Sequence, residues 1–291
     1  MKYLTALLLL AFAATASAHA ADPMIVSTDW LAKQLDKKSR PAIVHIAATP
    51  EKFAEGHVPG SLFVPAGKIL QKRAGLPNEV PPMPELQASL EALGIGNRKR
   101  IVIVSDDPLL AGRLFFTLDL VGHAKRAALL DGGIAAWKRE KRRLATGPAP
   151  EPKPAPFVLR LNTEKIVFLS EMKALVPPKS VTLVDARPVA EFTGETPGDD
   201  VSRGGHIPGA INIPWTANLK EDGTLLDAEA LQKLYEDAGV KRGWRVIVYC
   251  RTGRQASFGY YVLRLLGYEA SLYDGSFVEW SNDPVAPVAT P

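Results

Sequence analysis

The chain has 291 residues, of which 46% are hydrophobic and 23% are charged, and its formal net charge is +4. This composition is typical of a globular protein with a packed core, and the length favours two domains over one. The charge is mild and no basic run with interleaved aromatic residues occurs, which argues against nucleic-acid binding.

Residues 1–20 are predicted to be an export signal. Lys2 is followed by an apolar run at residues 3–14 and by Ala-x-Ala steps that end at Ala18 and Ala20. A basic start, a short apolar run and small residues are typical of a cleavable secretory signal peptide. The run is too short to span a bilayer. We therefore expect a periplasmic or secreted protein with no membrane association after cleavage, the alternative being an uncleaved anchor.

The remaining sequence contains two related halves. Gly-His-Val-Pro-Gly-Ser at residues 56–61 returns as Gly-His-Ile-Pro-Gly-Ala at residues 205–210, and the apolar run at residues 100–104 returns at residues 245–249. Such long-period similarity indicates one structural unit used twice. The proline-rich residues 147–157 lie between the halves and predict an extended, semi-rigid linker.

The predicted domains cover residues 24–146 and residues 158–285, and residues 283–291 are expected to be loosely attached. In the second domain, short apolar strands alternate with helical stretches. The predicted strands are at residues 181–184, 210–213, 245–249 and 270–273, and the helices at 188–192, 227–238 and 255–266. This alternation predicts an α/β fold, in which helices cover both faces of a parallel sheet. Ligands of such sheets bind at the carboxyl ends of the strands.

The single cysteine of the chain, Cys250, follows one of these predicted strands. A helix is predicted from Gln255 onward, so backbone N–H groups and the positive end of the helix dipole point toward the thiol. Arg251 and Arg254 flank it. We therefore expect the thiol to ionise more readily than that of a free cysteine and to act as a nucleophile. The alternative interpretation is a small, buried apolar residue.

The first half has no such nucleophile. Ser105 occupies the position equivalent to Cys250, and Asp-Asp-Pro follows it at residues 106–108. Two carboxylates at a helix N-terminus repel an anion, and proline removes an N–H donor. A serine nucleophile would also need a base and an oxyanion hole. We predict that the first domain is structural and helps to shape the cleft between the domains.

These motifs resemble those of the tandem-domain rhodaneses, which are thiosulfate sulfurtransferases. The resemblance rests on Cys-Arg-Thr-Gly at residues 250–253, on residues 205–210 and on Tyr-Asp-Gly-Ser-Phe-Val-Glu-Trp at residues 273–280. It implies two tandem rhodanese-like domains, of which the first is inactive, and Cys250 as the carrier of the transferred sulfur. The expected donor-binding residues are Arg187, Arg251, Thr252, Gly253, Arg254 and Gln255. No histidine or cysteine spacing indicates a metal site, and we expect no cofactor.

The resemblance implies a small anionic sulfur donor and a thiophilic acceptor such as cyanide, and we expect a monomer. Thr252 stands where the best-studied thiosulfate enzymes of the family carry a basic residue, and Arg254 is expected to supply that charge. The relatives that use 3-mercaptopyruvate favour Gly-Ser after the cysteine, so Arg251 and Thr252 favour thiosulfate. Transfer from 3-mercaptopyruvate and a non-catalytic sulfur-carrier module are the alternatives. A phosphatase or arsenate reductase is less consistent, because Ala256 stands where a Cys-x5-Arg motif needs arginine.

Three further features allow two interpretations each. Arg187 either contacts the donor or forms an ion pair with Asp185 at the end of a strand. His206 resembles a general base, but His57 lies in the same context in the half that has no cysteine, which favours a structural role. Residues 194–205, an insertion relative to the first half, form either a cleft wall or, as we expect, an ordinary surface loop.

Overall fold

The computed structural model describes residues 23–291, so the predicted export signal lies outside the described residues. Within this range, none of the helices combines the length and the apolar character that a membrane crossing requires. The two halves of the chain form two α/β domains of the same architecture, as the repeat predicts.

The first domain contains seven strands and five helices among the described residues. The strands are β1 (Ile25–Val26), β2 (Ala42–Ala47), β3 (Leu62–Pro65), β4 (Gln71–Arg73), β5 (Leu76–Glu79), β6 (Ile101–Ser105) and β7 (Ala127–Leu130). The helices are α1 (Thr28–Ala32), α2 (Pro50–Glu55), α3 (Met83–Ala92), α4 (Pro108–Leu120) and α5 (Gly133–Arg139). Five strands form a parallel sheet in the order β1-β7-β6-β2-β3, and β4 and β5 form a separate antiparallel hairpin.

The second domain repeats this arrangement. Its strands are β8 (Ile166–Val167), β9 (Val181–Asp185), β10 (Ala210–Asn212), β11 (Arg245–Tyr249) and β12 (Ala270–Tyr273). Its helices are α6 (Leu169–Leu175), α7 (Val189–Thr193), α8 (Ala228–Asp237), α9 (Arg254–Leu265) and α10 (Ser276–Asn282). The parallel sheet has the order β8-β12-β11-β9-β10, the same succession as in the first domain. The central strands β6 and β11 are apolar and buried almost throughout, as expected for a sheet covered on both faces.

The two domains share one hydrophobic core, because α4 of the first packs directly against α9 of the second. Phe115 contacts Tyr261 and Phe116 contacts Tyr260, with ring centroids 5.0 and 5.1 Å apart and edge-to-face geometry. The helices approach so closely at Gly112 that a Cβ atom there would lie 2.7 Å from the Cα of Phe258. Helices α4 and α9 each follow the central strand of their own sheet, so this contact brings the two strand ends together.

The segment between the domains is extended, as its prolines predict. Residues 149–162 form no helix or strand. They lie along the first domain: Phe157 is buried, and the N–H of Asn162 donates to the carbonyl of Leu120 at 2.8 Å.

The prediction of a loose C-terminal tail is wrong. His206 and Ala289 exchange two backbone hydrogen bonds of 2.8 and 2.9 Å, and the indole N–H of Trp280 donates to the carbonyl of Pro287 at 2.7 Å. Ala286 is buried. The tail is therefore part of the second domain. The prediction rested on the prolines of the tail, which have no N–H group to donate. Apolar contacts and the N–H groups of the other residues are sufficient to hold the tail on the domain.

Candidate active site

Cys250 lies at the carboxyl end of the central strand β11, where its main chain is held by residues that follow β12. The N–H of Phe277 donates to the carbonyl of Cys250 at 2.8 Å, and the N–H of Val278 donates to that of Arg251 at 3.0 Å. The N–H of Cys250 donates to Ser276 Oγ at 3.3 Å. Ser276 has a φ of +55°, which is uncommon for a residue other than glycine. The segment at residues 273–280 thus fixes the position of Cys250.

Residues 250–256, called the Cys250 loop below, fold around the sulfur atom. The N–H of Gly253 donates to Cys250 Sγ at 3.1 Å, and the N–H groups of Ala256 and Thr252 also act on the sulfur. Gly253 has a φ of +85°, and a Cβ atom there would lie 3.0 Å from both the carbonyl oxygen and Oδ1 of Asp274. Glycine is therefore required at this turn. The structure brings the predicted residues 250–253 together with the start of α9 as an anion cradle.

Burial opposes ionisation of the Cys250 thiol, contrary to the expectation from its neighbours in sequence. Only 1% of the residue is exposed. This burial raises the pKa of the Cys250 thiol above its ordinary value, while hydrogen bonds from the N–H groups of Ala256, Thr252 and Gly253 oppose the rise. The Asp185 carboxylate adds to the rise.

The two arginines of the Cys250 loop interact with carboxylates of other segments. Arg254 Nη2 lies 2.6 Å from Asp107 Oδ2, in the loop of the first domain that is equivalent to the Cys250 loop. Arg251 acts on the carboxylate of Glu191, although burial is the larger effect and raises the pKa of Glu191. A Cβ atom at Gly198 would lie 2.7 Å from Arg251 Nη1. Gly198, within residues 194–205, therefore lies against Arg251. Whether the segment acts as a cleft wall or as a surface loop stays a prediction.

Thr252 and Gln255 complete the loop. Thr252 Oγ1 accepts a hydrogen bond of 3.0 Å from Asn78 Nδ2, so its hydroxyl is held by the first domain. Gln255 is half-buried, and its Oε1 atom is buried without a hydrogen-bond partner. A buried acceptor of this kind costs free energy unless a ligand or water donates to it.

Arg187 forms a buried ion pair with Asp185. Its side chain is completely buried, and its Nε and Nη2 atoms donate to the carboxylate of Asp185 at 2.6–3.0 Å. Nη2 also donates to the carbonyl of Gly205 at 2.8 Å, and the guanidinium lies 4.0 Å from the ring centroid of Phe277. These contacts tie β9 to its neighbours, and the Nη1 atom of Arg187 is buried without a hydrogen-bond partner. Contact between Arg187 and the donor stays a prediction.

His206 and His57 make the same contacts in their respective domains. His206 stacks on Phe192 with ring centroids 3.8 Å apart and hydrogen-bonds the carbonyl of that residue through Nδ1 at 3.0 Å. His57 stacks on Phe53 at 3.8 Å and hydrogen-bonds its carbonyl at 3.1 Å. This identity agrees with a structural role for both. Ser105 is also turned inward, with its Oγ donating to the carbonyl of Ile46 at 2.7 Å.

A buried network beneath the Cys250 loop was not predicted from the sequence. Arg113 of α4 forms an ion pair with Asp274, and its Nη2 atom also donates to the carbonyl of Asn78 at 2.7 Å. The N–H of Val80 donates to Asp274 Oδ2 at 3.0 Å. Burial, together with the carboxylate of Asp274, raises the pKa of Glu79 to about 8. Asp274 belongs to the motif at residues 273–280, but Arg113 and Asn78 lie in the half without a nucleophile and carry no sequence signal.

The described residues include no group of three or more histidine, cysteine and acidic side chains arranged to hold a metal ion. The Cys250 loop itself presents a thiol, backbone N–H donors and charged side chains.

The geometry can be compared with known proteins. The rhodanese-like domain family matches residues 27–140 and again residues 168–283. The chain belongs to the rhodanese family. It is similar to the sulfur carrier protein TtuD of Thermus thermophilus, with 32% identity over 93% of this chain and 98% of that protein. It is also similar to the thiosulfate sulfurtransferase of Pseudomonas aeruginosa, with 29% identity over 91% of this chain and 97% of that protein.

Among solved structures, the chain is similar to SseA from Escherichia coli, described as a 3-mercaptopyruvate sulfotransferase with the rhodanese fold. The TM-score is 0.78 at 27% identity, and the match covers 88% of this chain and 99% of SseA. The prediction of two tandem rhodanese-like domains is confirmed. These relatives support sulfurtransferase activity for this chain. Their names indicate different sulfur donors.

Proposed function

We propose that the protein is a sulfurtransferase that carries sulfane sulfur as a persulfide on Cys250. The observation that carries this proposal is the hydrogen bond of 3.1 Å from the N–H of Gly253 to the sulfur of Cys250, within a loop whose N–H groups turn inward. Such donors stabilise a persulfide anion and the charge on a departing oxyanion. The family to which the chain belongs supports the same chemistry.

We propose thiosulfate as the donor. The sulfur of Cys250 attacks the outer sulfur of thiosulfate, a new S–S bond forms, and the bond to the SO₃ group breaks. The electron pair of that bond leaves with sulfite, which also takes the proton of the thiol. A thiophilic acceptor such as cyanide then attacks the terminal sulfur of the persulfide. The S–S bond breaks, thiocyanate forms, and the electron pair of that bond stays on the sulfur of Cys250 as a thiolate, which takes up a proton from solvent to restore the thiol. The basic residues Arg251 and Arg254 support an anionic donor.

The alternatives differ in donor or in turnover. 3-Mercaptopyruvate is a candidate because SseA from Escherichia coli shares this fold over almost its whole length. A sulfur carrier that passes its persulfide to a partner protein is a candidate because of the similarity to TtuD. The Ala-x-Ala motif within residues 1–20 supports the further proposal that the protein acts after export.

Mass spectrometry of the intact protein after exposure to thiosulfate tests the proposal. We expect a gain of about 32 Da, one sulfur atom, that is removed by cyanide and is absent in Cys250→Ser. Ser105→Ala, the equivalent position in the first domain, serves as the matched control and should acquire the sulfur as the unmodified protein does. The absence of an adduct with thiosulfate, 3-mercaptopyruvate and an organic persulfide would exclude the proposed function.

Measured rates distinguish the alternatives. Turnover of thiosulfate to thiocyanate at a higher kcat/KM than 3-mercaptopyruvate supports the proposed donor, and the reverse order supports the second candidate. A persulfide that forms but does not pass to cyanide indicates a carrier.

A further inference from the structure

The loop of the first domain that lost its nucleophile contacts the Cys250 loop through one ion pair. Asp107 Oδ2 accepts a hydrogen bond from Arg254 Nη2 at 2.6 Å. The side chains of Arg254 and Asp107 are 36% and 32% exposed, so solvent and dissolved ions can reach the pair. Exposed pairs of this kind are weak, because water competes with both partners. A second anion can therefore compete for the guanidinium.

Asp107 is held in place independently of Arg254. Its other oxygen, Oδ1, accepts a hydrogen bond of 2.8 Å from the N–H of Leu109 and so caps helix α4. Its own N–H donates to Ser105 Oγ at 3.1 Å. The carboxylate is thus a fixed group, whereas the arginine is a long side chain with several rotatable bonds.

Arg254 is the first residue of α9, four positions after Cys250, and it is the residue that the sequence offers in place of the basic residue missing at Thr252. While it is bound to Asp107, its positive charge is compensated. The compensation affects a donor with two negative charges more than a donor with one, since Coulomb energy scales with the product of the charges.

We propose that Asp107 is a specificity-determining residue of the site, which competes with the sulfur donor for Arg254 and so weakens the binding of dianionic donors relative to monoanionic ones. This inference rests on the proposed function, because it assigns a donor preference to the same site. It gives the first domain a role in the chemistry that its own loop has lost.

The test replaces Asp107 with asparagine, which retains the capping oxygen and removes the charge. We expect Asp107→Asn to lower the KM for thiosulfate at least about threefold, with kcat changed less than about twofold, and to lower the KM for 3-mercaptopyruvate by a smaller factor. Because the competition is electrostatic, the gain should shrink as ionic strength rises. Asp107→Ser, a second substitution that caps without charge, should act in the same direction.

Two further variants separate this role from a general effect of charge or of capping. Asp227→Asn makes the same change at the cap of α8, where Asp227 Oδ1 accepts from the N–H of Ala230 at 2.9 Å, and should leave both KM values unchanged. In an Arg254→Gln background, Asp107→Asn should lose most of its effect, since Asp107 then has no guanidinium to hold.

An unchanged KM for thiosulfate in Asp107→Asn, an equal change for both donors, or an equal effect in the Arg254→Gln background would each overturn the inference. None of these outcomes affects the proposed function, which depends on the persulfide alone. Conversely, if no donor forms a persulfide on the unmodified protein, the proposed function fails before the variants are compared.

Discussion

At the scale of single residues, the site combines inward-facing N–H donors with burial of the Cys250 thiol. The N–H groups of Gly253, Thr252 and Ala256 are already directed at Cys250, yet burial raises the pKa of the thiol. The N–H donors are therefore in place before a donor arrives, while burial favours the protonated thiol. A preorganised set of donors of this kind does not have to rearrange during the reaction.

The ionisation of Cys250 can be measured directly, because the chain has one cysteine. We expect the rate of alkylation by iodoacetamide in the folded, donor-free protein to rise with pH around a pKa above that of an ordinary thiol, about 8.5. The same protein unfolded in denaturant is the matched control and should titrate near that ordinary value. If the alkylation rate of the folded protein had its pH midpoint at or below that of the unfolded protein, the N–H donors would lower the pKa of Cys250 more than burial raises it.

At the scale of elements, the hairpin β4–β5 is the part of the site that the sequence did not predict. It comes from the first domain, but Asn78 reaches Thr252 and the N–H of Val80 reaches Asp274 in the second. Periodicity and the repeat predict strands and helices within one domain. They carry no information on which side chains meet across an interface, because such contacts depend on how the domains dock.

Glu79, the last residue of the hairpin, is expected to make the stability of the protein depend on pH. Burial and the neighbouring carboxylate of Asp274 raise the pKa of Glu79 to about 8, against about 4.3 in an unfolded chain. Between these values the folded protein keeps a proton that the unfolded chain releases. The free energy of unfolding should therefore fall as pH rises through this window.

Glu79→Gln should remove this contribution. Denaturant unfolding near pH 5 should give similar free energies for the variant and the unmodified protein, whereas near pH 9 the variant should be the more stable one. Glu229→Gln, at an exposed position on α8, is the control and should follow the unmodified protein at both values. Parallel curves for Glu79→Gln and the unmodified protein would show that Glu79 is not protonated in the folded state.

At the scale of the whole molecule, the two domains meet in a reciprocal way. Val80 of the first domain donates its N–H to Asp274 of the second at 3.0 Å, and Leu225 of the second donates to Asp131 of the first at 2.9 Å. Asp131 and Asp274 are equivalent in the repeat, since each is followed by Gly132-Gly133 or Gly275-Ser276. Equivalent surfaces in contact are the arrangement of a symmetric dimer, here within one chain.

The sequence predicted the two domains and their sheets, but it did not predict the contacts between the domains. The repeated motifs were sufficient to predict the two parallel sheets, the linker between the domains and the position of Cys250 at the end of a strand. The repeat also showed that the first loop has no nucleophile. It could not show that Asp107 contacts Arg254 or that Arg113 lies under Gly253, because such contacts depend on how the two domains dock.

The crossing of α4 and α9 gives a test of how far the site depends on the interface. A Cβ atom at Gly112 would lie 2.7 Å from the Cα and 2.8 Å from the N of Phe258, and neither backbone atom can rotate away. Gly112→Ala should therefore force the helices apart and lower the free energy of unfolding by about 1–3 kcal/mol.

Because both helices begin at the loops that meet in the site, Gly112→Ala should also reduce kcat/KM for sulfur transfer, which a steady-state assay would detect. Gly259→Ala is the matched control within α9: its Cβ atom would lie 3.4 Å from Val248 Cγ2, an ordinary contact. That change should be neutral or stabilising by up to about 1 kcal/mol, as alanine favours a helix. If Gly112→Ala were stable and fully active, close contact between the helices would not be what positions the Cys250 loop.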